Sequence, residues 1–330
     1  MDDMKAITAS HAGGPEVMSL AEVPEPTCSA DKVRVRVEAA GVNFIDTYRR
    51  SGAYKVDFPM IPGSEGAGIV IEVGADATWA KEGDRVSWTS TSASYAEQAI
   101  LGQGDCYSVP DAVTSEVAAA SMLQGLTAHY LASSSFALGE GHTALIHAGA
   151  GGVGLLLTQI ALERGARVIT TVSTGQKAEL SRGAGADAVI RYDQFADLAE
   201  ELPQAVRDLT KGLGVDVVYD GVGKSTFEAS LASLAMRGTM VLFGGASGQV
   251  PPFDLQRLNA GGSLSITRPS LGHFLHTADE RAWRSGELFG AIASGRLDVR
   301  IGERFPLAEA AKAHLALEGR LTTGKVLLIP

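Results

Sequence analysis

The stretch TALIHAGAGGVGLLLTQIALERGARVITTV, residues 143–172, decides the fold of this chain. The short apolar run TALI is typical of a buried strand, and VGLLLTQIALE continues as a helix with an apolar face that ends before Gly165. ARVITTV then follows as a second apolar strand. A strand, a glycine loop, a helix and a strand in this order predict a βαβ unit with two parallel strands.

The loop of this unit, HAGAGGVG, contains the pattern G-x-G-x-x-G at Gly149, Gly151 and Gly154. In a dinucleotide-binding loop the first glycine permits the tight turn, the second lets the backbone approach a pyrophosphate, and the third allows close helix packing. The helix that begins here, with Gly152 and Val153, offers free N–H groups and partial positive charge to the phosphates. A purely structural turn is the alternative, but the flanking strand and helix favour dinucleotide binding.

The remainder of the chain extends this pattern in the middle and departs from it at both ends. Downstream strands such as DAVIRY, VDVVYD and TMVLFGG alternate with helical segments such as STFEASLASLAM, which predicts a doubly wound parallel sheet of five or six strands. The first third is β-rich, because KVRVRVEAAGV at residues 32–42 alternates like a half-buried strand. The C-terminal part has no second glycine fingerprint, and its return to complete the first domain predicts a split domain with the nucleotide fold inserted.

The residues after the second strand predict which dinucleotide is bound. An NAD-binding protein usually places an acidic side chain about 20 residues after the glycine loop, where it accepts bonds from the ribose hydroxyls. Here the segment reads TTVSTGQK, in which Ser173 can hydrogen-bond a 2′-phosphate and Lys177 can pair with it. Tyr192, at the end of the next strand, could pack on the adenine or donate to the phosphate. Taken singly, Lys177 could be an exposed helix lysine and Tyr192 a half-buried aromatic; together with the missing acid they favour NADPH.

Composition and charge exclude several classes of function. The chain has 330 residues and a formal net charge of −10, so it lacks the general basic surface that nucleic acid or an anionic membrane requires. No apolar run approaches the length of a membrane span, and the N-terminus lacks the positive charge of a secretory signal, which predicts a cytoplasmic protein. Cys28 and Cys106 are the only cysteines, so neither a disulfide framework nor a four-cysteine zinc lobe is expected.

Several motifs in a fixed order carry a resemblance to a known family. AGVNFIDTYRRSGAY, PMIPGSEGAGIV, MLQGLTAHYL, HAGAGGVG, VVYDGVG, LFGGASG and TRPSL follow one another along nearly the whole chain. In these motifs the chain resembles the zinc-free quinone oxidoreductases related to zeta-crystallin, within the medium-chain dehydrogenase/reductase superfamily. The resemblance implies a GroES-like β-rich catalytic domain at residues 1–122 and 268–330, a Rossmann NADPH-binding domain at residues 123–267, a cleft between them and a homodimer.

The resemblance also implies the residues of the site. Those expected around the nicotinamide or the substrate are Asn43, Tyr48, Tyr54, Gln124, Thr127 and Phe243. Those expected around the adenosine phosphate are Ser173, Lys177, Tyr192 and Arg320. We assign Asn43, Tyr48, Tyr54 and Gln124 to the catalytic group and the others to cofactor binding.

Where zinc alcohol dehydrogenases place a cysteine, a histidine and a second cysteine, this chain has Asn43, Ser64 and Gln124. None of these is a good zinc ligand, so no metal is expected. The histidine proton relay of those relatives is replaced by Tyr48. The histidines of the chain are expected to be core or surface residues, and Glu65 is expected to make a structural hydrogen bond more readily than to act as a general base.

The sequence therefore predicts metal-free hydride or electron transfer from NADPH to a quinone or a related conjugated carbonyl, an acceptor that is already electrophilic. Tyr48 either donates a hydrogen bond or a proton to the developing oxyanion, since an unperturbed tyrosine is an acid with a pKa of about 10, or only shapes the pocket. Two alternatives remain open: reduction of enoyl thioesters or alkenals by the same hydride step, and a non-catalytic NADPH-binding structural or RNA-binding role.

Overall fold

The computed structural model describes residues 3–91 and 93–330. Contacts divide the chain into two compact units. The first, here called the split unit, comprises the residues up to Gln124 together with Ser285–Pro330, and the second, the central unit, comprises Gly125–Arg284. The segment 268–284 belongs to the central unit by contacts, whereas the resemblance of the sequence motifs places it in the catalytic domain; the domain boundaries stay a prediction.

The split unit is built on a mostly antiparallel sheet. Numbered along the whole chain, its strands are β1 (Asp3–Ala9), β2 (Met18–Pro24), β3 (Lys32–Val42), β4 (Glu65–Val73), β5 (Arg85–Thr89), β6 (Gln98–Gly102), β7 (Cys106–Ser108), β14 (Ile301–Pro306) and β15 (Lys325–Ile329). Among its described residues, seven strands form one sheet in the order β14-β15-β3-β4-β5-β7 with β6 beside β3, and β1 pairs with β2 separately. Its helices include α1 (Phe44–Arg50), α9 (Ala310–Glu318) and most of α2 (Ser115–Tyr130).

Strand β3 shows how the sequence pattern produces this sheet. Its valines Val33, Val35 and Val37 are buried in the core, and the arginines between them point outward, as the period of two requires. From Ala39 onward the residues on both faces are buried, and the C-terminal strand β15 pairs antiparallel with this end of β3, with Val326 opposite Val42. This pairing places the end of the chain beside the start of α1, where the candidate site of this unit lies.

The central unit, all of which is described, contains a six-stranded parallel sheet. Its strands are β8 (Thr143–Ile146), β9 (Arg167–Val172), β10 (Ala188–Arg191), β11 (Val215–Asp220), β12 (Leu234–Leu242) and β13 (Ser265–Thr267), and its helices are α3 (Gly152–Glu163), α4 (Gly175–Gly183), α5 (Leu198–Leu209), α6 (Phe227–Ala232), α7 (Gln256–Ala260) and the first part of α8 (Ala278–Ala293). The spatial order is β10-β9-β8-β11-β12-β13. This is the Rossmann order, whose direction reverses between β8 and β11.

The fold expected from the sequence is confirmed, with one local difference. The helix predicted over STFEASLASLAM ends at Ala232, and its last letters belong to β12, because Leu234 pairs with Val215 of β11. In the described residues, every helix is too short or too polar to cross a membrane.

Candidate active site

The glycine loop follows β8, at the carboxyl edge of the sheet where the strand order reverses. The positive φ of this turn falls on Ala148, at 54°, and not on Gly149. Gly149 is required by close approach, because a Cβ there would lie 2.5 Å from Thr170 Cβ and 2.8 Å from Ser181 Oγ. The loop thus rests directly on β9 and α4, as a phosphate-binding turn must.

The second half of the loop forms the start of α3. The first helical bond is donated by Leu155 N–H to the Gly151 carbonyl at 2.9 Å, so the N–H groups of Gly152, Val153 and Gly154 precede the helical bonding pattern. A Cβ on Gly154 would overlap the Ala148 carbonyl oxygen and lie 2.9 Å from Gly149 Cα. This tight glycine turn with N-terminal N–H groups fits the pyrophosphate of a dinucleotide.

A buried polar network lies beneath the glycine loop, and sequence reasoning did not find it. His147 Nδ1 contacts Thr171 Oγ1 at 2.9 Å, and His147 Nε2 contacts Ser230 Oγ at 2.8 Å. Ser230 donates in turn to the Asp220 carboxylate at 2.7 Å, so the His147 Nε2–H donates to Ser230. Burial lowers the pKa of His147 below its ordinary value, which keeps the ring neutral.

Asp220 links this network to the second loop at the switch point. Its Oδ1 accepts the N–H groups of Val222 and Gly223 at 2.8 and 2.9 Å. Phe243, which follows β12, covers the same turn, since a Cβ on Gly221 would lie 2.8 Å from its ring. The only hint in the sequence was the repeated glycine spacing of DGVG and FGGASG, which does not reveal the carboxylate as the anchor.

The residues predicted for the adenosine phosphate lie at the carboxyl ends of β9 and β10. Ser173 follows β9 directly, and Lys177 is in the first turn of α4, where its N–H donates to the N-cap Thr174 Oγ1 at 3.2 Å. Tyr192 follows β10 directly. Arg320 belongs to the split unit, just after α9, with a φ of 57°.

The first polar cluster of the split unit centres on Glu65, the first residue of β4. Glu65 Oε1 accepts the Leu123 N–H at 2.6 Å, and Glu65 Oε2 accepts both Asn43 Nδ2 at 2.7 Å and the Lys325 ammonium. Lys325 also donates to Asn43 Oδ1 at 2.7 Å. Glu65 and Lys325 are 0% and 1% exposed, so this is a buried ion pair that fixes the orientation of the Asn43 amide.

The second cluster connects α1 to the C-terminal helix α9. Arg50 donates to His314 Nδ1 at 2.9 Å, so the proton of the neutral ring is on Nε2, which contacts Tyr95 OH at 3.0 Å. Tyr95 OH donates to Asp46 Oδ2 at 3.2 Å. Burial, followed by the Arg50 charge, lowers the pKa of His314 to about 3, and burial raises the pKa of Asp46 to about 6.

Asp46 joins the two clusters, because it accepts the Asn43 backbone N–H at 3.0 Å and the Ser64 hydroxyl at 2.5 Å. Two of the three positions discussed for zinc, Asn43 and Ser64, are therefore brought together around a carboxylate. Gln124 occupies the third of these positions, and its Oε1 is buried and has no hydrogen-bond partner among the described residues. Those residues also contain no group of three His, Cys, Asp or Glu side chains arranged to hold a metal ion.

The predicted aromatic residues form a pair. The rings of Tyr48 and Tyr54 have centroids 5.5 Å apart, and Tyr54 is 41% exposed. The Tyr54 N–H donates to the Tyr48 carbonyl at 3.0 Å, which ties the loop after α1 to its last turn. Thr127 lies on α2 within the central unit and is buried.

Comparisons with known proteins agree with this architecture. The alcohol dehydrogenase GroES-like domain matches residues 29–138, and the zinc-binding dehydrogenase family matches residues 152–284. Quinone oxidoreductase of Pseudomonas aeruginosa is 44% identical over 330 residues, 99% of each chain, and quinone oxidoreductase 1 of Escherichia coli is 42% identical over 96% of this chain and 97% of its own. The chain belongs to the quinone oxidoreductase family of the medium-chain dehydrogenase/reductase superfamily. The resemblance drawn from the sequence motifs is confirmed.

Solved structures of this quinone oxidoreductase family are similar over the full chain. A mycobacterial protein complexed with NADPH is 52% identical with a TM-score of 0.95, over 99% of this chain and all of that chain. The Escherichia coli quinone oxidoreductase complexed with NADPH is 41% identical with a TM-score of 0.95 and the same coverage. A 2-haloacrylate reductase of Burkholderia is also similar, at 38% identity over 96% of each chain.

Proposed function

We propose that the protein is an NADPH-dependent quinone reductase that transfers hydride, or electrons, from NADPH to a quinone or a related conjugated carbonyl. The observation that carries the proposal is the glycine loop at the strand-order switch, whose Gly154 leaves no room for a Cβ and whose helix offers N–H groups to a pyrophosphate. Relatives named quinone oxidoreductases support the same reaction class, and the Escherichia coli quinone oxidoreductase and a mycobacterial relative, both complexed with NADPH, support the same cofactor.

The preference for NADPH is supported by the residues after β9. The residues directly after Val172 include no carboxylate, which would repel a 2′-phosphate there. Ser173 and Lys177 offer a hydroxyl and an ammonium group instead. We propose that these two residues, together with Tyr192 and Arg320, bind the adenosine phosphate. Thr127 and Phe243 are proposed to contact the nicotinamide end.

When bound, NADPH supplies the hydride. The chain's own residues have three proposed tasks: Tyr48 and Tyr54 offer flat apolar walls to the acceptor, the Asn43 amide is held in one orientation by Glu65 and Lys325, and the unpartnered Gln124 Oε1 accepts a hydrogen bond from the bound molecules. The Tyr48 hydroxyl donates a hydrogen bond to the developing oxyanion.

We propose that the reaction needs no metal. Asn43 already donates to Glu65 and accepts from the Lys325 ammonium, so a metal cation at this position would be repelled by a fixed positive charge. Amide and hydroxyl groups at Asn43, Ser64 and Gln124 are poor zinc ligands. Undiminished turnover after dialysis against a chelator, with no zinc by elemental analysis, is expected; loss of turnover restored by zinc would contradict it.

The substrate class is tested by NADPH oxidation with a benzoquinone and phenanthrenequinone against a medium-chain enoyl-CoA and a 2-haloacrylate. Faster turnover of the quinones supports the proposal. The relative named 2-haloacrylate reductase favours conjugated alkenes as a second candidate, and faster turnover of those acceptors would select it. NADPH binding without turnover of any acceptor would leave the non-catalytic role.

The role of Tyr48 is tested by Tyr48→Phe, with Tyr54→Phe as a control that keeps the aromatic pair. We expect Tyr48→Phe to lower kcat/KM for quinones about 10- to 100-fold and Tyr54→Phe to change it less than about twofold. Unchanged kcat and KM in Tyr48→Phe would restrict Tyr48 to shaping the pocket.

We further propose a homodimer in the cytoplasm, acting on small molecules and with no nucleic-acid partner, in line with the net charge of −10. Light scattering of the purified protein tests the dimer, and cell fractionation tests the location. Domain boundaries at residues 122/123 and 267/268 are tested by limited proteolysis.

A further inference from the structure

Arg191, the last residue of β10, lies beside the loop proposed to hold the adenosine phosphate. β10 runs parallel to β9, with Arg191 opposite Val172, so both strands end at the same edge of the sheet. Val189, two residues earlier, packs against residues of the glycine loop, β9 and α4, whereas Ile190 packs in the core cluster on the other side. Because side chains alternate along a strand, Arg191 is on the face that carries the glycine loop and α4.

The guanidinium of Arg191 reaches the start of α4. Its Nη1 lies 3.4 Å from the position that a Cβ on Gly175 would occupy. Gly175 is the first residue of α4 and comes two residues after Ser173. A side chain with a rigid, always charged fork, which matches phosphate geometry, therefore lies over the segment that distinguishes a 2′-phosphate from a ribose hydroxyl.

Arg191 is also paired with a carboxylate. Its Nε donates to Asp193 Oδ1 at 3.0 Å and its Nη2 donates to Asp193 Oδ2 at 2.5 Å. Both side chains are about one-third exposed, at 33% and 32%. The bonds to Asp193 use Nε and Nη2, so Nη1 is the nitrogen on the Gly175 side. A phosphate bound there would be attracted by Arg191 and repelled by Asp193.

We infer that Arg191 binds the 2′-phosphate of NADPH through its Gly175 side, and that Asp193 weakens this contact by competing for the same guanidinium. The pair thereby sets how strongly the protein prefers NADPH to NADH. This inference rests on the proposed function, because it requires a nicotinamide dinucleotide at the glycine loop. It adds to Ser173, Lys177 and Tyr192 a specificity-determining residue and a carboxylate that opposes it.

The test measures binding, without turnover, by calorimetry with adenosine 2′,5′-bisphosphate and adenosine 5′-monophosphate, which differ only in the 2′-phosphate, and with NADPH and NADH. Arg191→Met should weaken the binding of the bisphosphate and of NADPH about tenfold, and should change the affinities for the monophosphate and NADH less than about twofold. The affinity of Arg191→Lys for the bisphosphate and NADPH should lie between those of the wild type and Arg191→Met, since an ammonium lacks the planar fork. Raising the ionic strength should narrow the difference between wild type and Arg191→Met.

Asp193→Asn tests the competition. It should strengthen NADPH binding about threefold, with NADH binding unchanged. The gain should be smaller in an Arg191→Met background, where only the direct repulsion between Asp193 and the phosphate is relieved. The matched control is Arg182→Met. Arg182 forms an exposed ion pair with Glu179 at 2.5 Å, and both residues are on α4, toward its end away from Ser173. Its affinities should equal those of the wild type.

The outcomes separate this inference from the proposed function. A wild type that prefers NADPH, with equal losses for NADPH and NADH in Arg191→Met or no loss at all, overturns the role of Arg191 alone. Weaker NADPH binding in Asp193→Asn overturns the competition. A wild type that binds neither dinucleotide overturns the proposed function and the inference together.

Discussion

The buried ion pair between Glu65 and Lys325 makes the sharpest prediction about the split unit. Lys325→Met removes the ammonium and leaves a carboxylate that is 0% exposed, whose remaining donors among the described residues are the Leu123 backbone N–H and the Asn43 side-chain amide. Breaking a buried pair on one side costs about 3 to 5 kcal/mol, because the remaining charge stays buried. Since Glu65 keeps these two donors, we expect a loss near the lower end, about 3 kcal/mol of unfolding free energy.

Removing the other charge of the pair, with Glu65→Gln, should cost more unfolding free energy than Lys325→Met. Glu65→Gln removes the carboxylate that accepts from the Lys325 ammonium and leaves it the neutral Asn43 Oδ1 at 2.7 Å, and we expect a loss of about 5 kcal/mol of unfolding free energy. The double variant Glu65→Gln/Lys325→Met leaves neither member of this pair charged. Its loss should be about 2 to 3 kcal/mol, far below the sum of the single losses, because each single change leaves the penalty that the other one removes.

Urea denaturation followed by tryptophan fluorescence measures these values, since Trp88 is buried in the core of the same unit. Arg304→Met is the matched control: Arg304 and Glu116 are 2.6 Å apart in the same unit but 49% and 40% exposed. We expect it to cost less than about 1 kcal/mol. Single losses for Lys325→Met and Glu65→Gln that simply add in the double variant, or that match the Arg304 control, would refute the reasoning.

Three further predictions concern other parts of the molecule. Burial lowers the pKa of His314 to about 3, so below about pH 6.5 the unfolded state binds a proton that the folded state does not, and the free energy of unfolding falls as the pH falls. In urea titrations, His314→Gln should reduce the loss of unfolding free energy between about pH 7.5 and about pH 4.5 by roughly 2 to 3 kcal/mol. An unchanged pH dependence would contradict this. Gly154→Ala should weaken NADPH binding about tenfold or more in calorimetry, because a Cβ at this position has no room in the glycine loop. The control Gly183→Ala, whose Cβ would have no neighbour within 4 Å, should bind NADPH as the wild type does. Equal affinities of the two variants would contradict the steric explanation. Asp220→Ala should cost about 3 kcal/mol or more in thermal or urea unfolding, since it leaves donors in the loop after β11 and on α6 without their acceptor. A loss under about 1 kcal/mol would show that this loop and α6 hold without the carboxylate.

The parts of the site that could be predicted are those whose chemistry is written in adjacent residues. HAGAGGVG predicted a phosphate-binding turn because its glycines, the strand before it and the helix after it are contiguous. The segment after β9 predicted the cofactor from the absence of a carboxylate at one position. The structure adds that the residue with positive φ in this turn is Ala148, and that Gly149 has no room for a Cβ because β9 and α4 approach it.

The parts that sequence reasoning missed join residues that are far apart in the chain. Lys325 donates to Glu65 across 260 positions, and Arg50 contacts His314 across 264. Glu65 alone was expected to make a structural hydrogen bond, but nothing in the sequence named its partners. A lysine near a C-terminus is ordinarily an exposed residue, and only its position at the start of β15 makes it buried.

The sequence by itself determined the class of fold, the phosphate-binding loop and the cofactor that the residues after β9 favour, because periodicity and turn chemistry act over a few neighbouring residues. Only the tertiary structure decided which charges are buried together, which way the Asn43 amide faces and which arginine lies over the start of α4. These depend on the pairing of β15 with β3 and of β10 with β9. The cost of burying a charge is then offset by partners that no local pattern identifies.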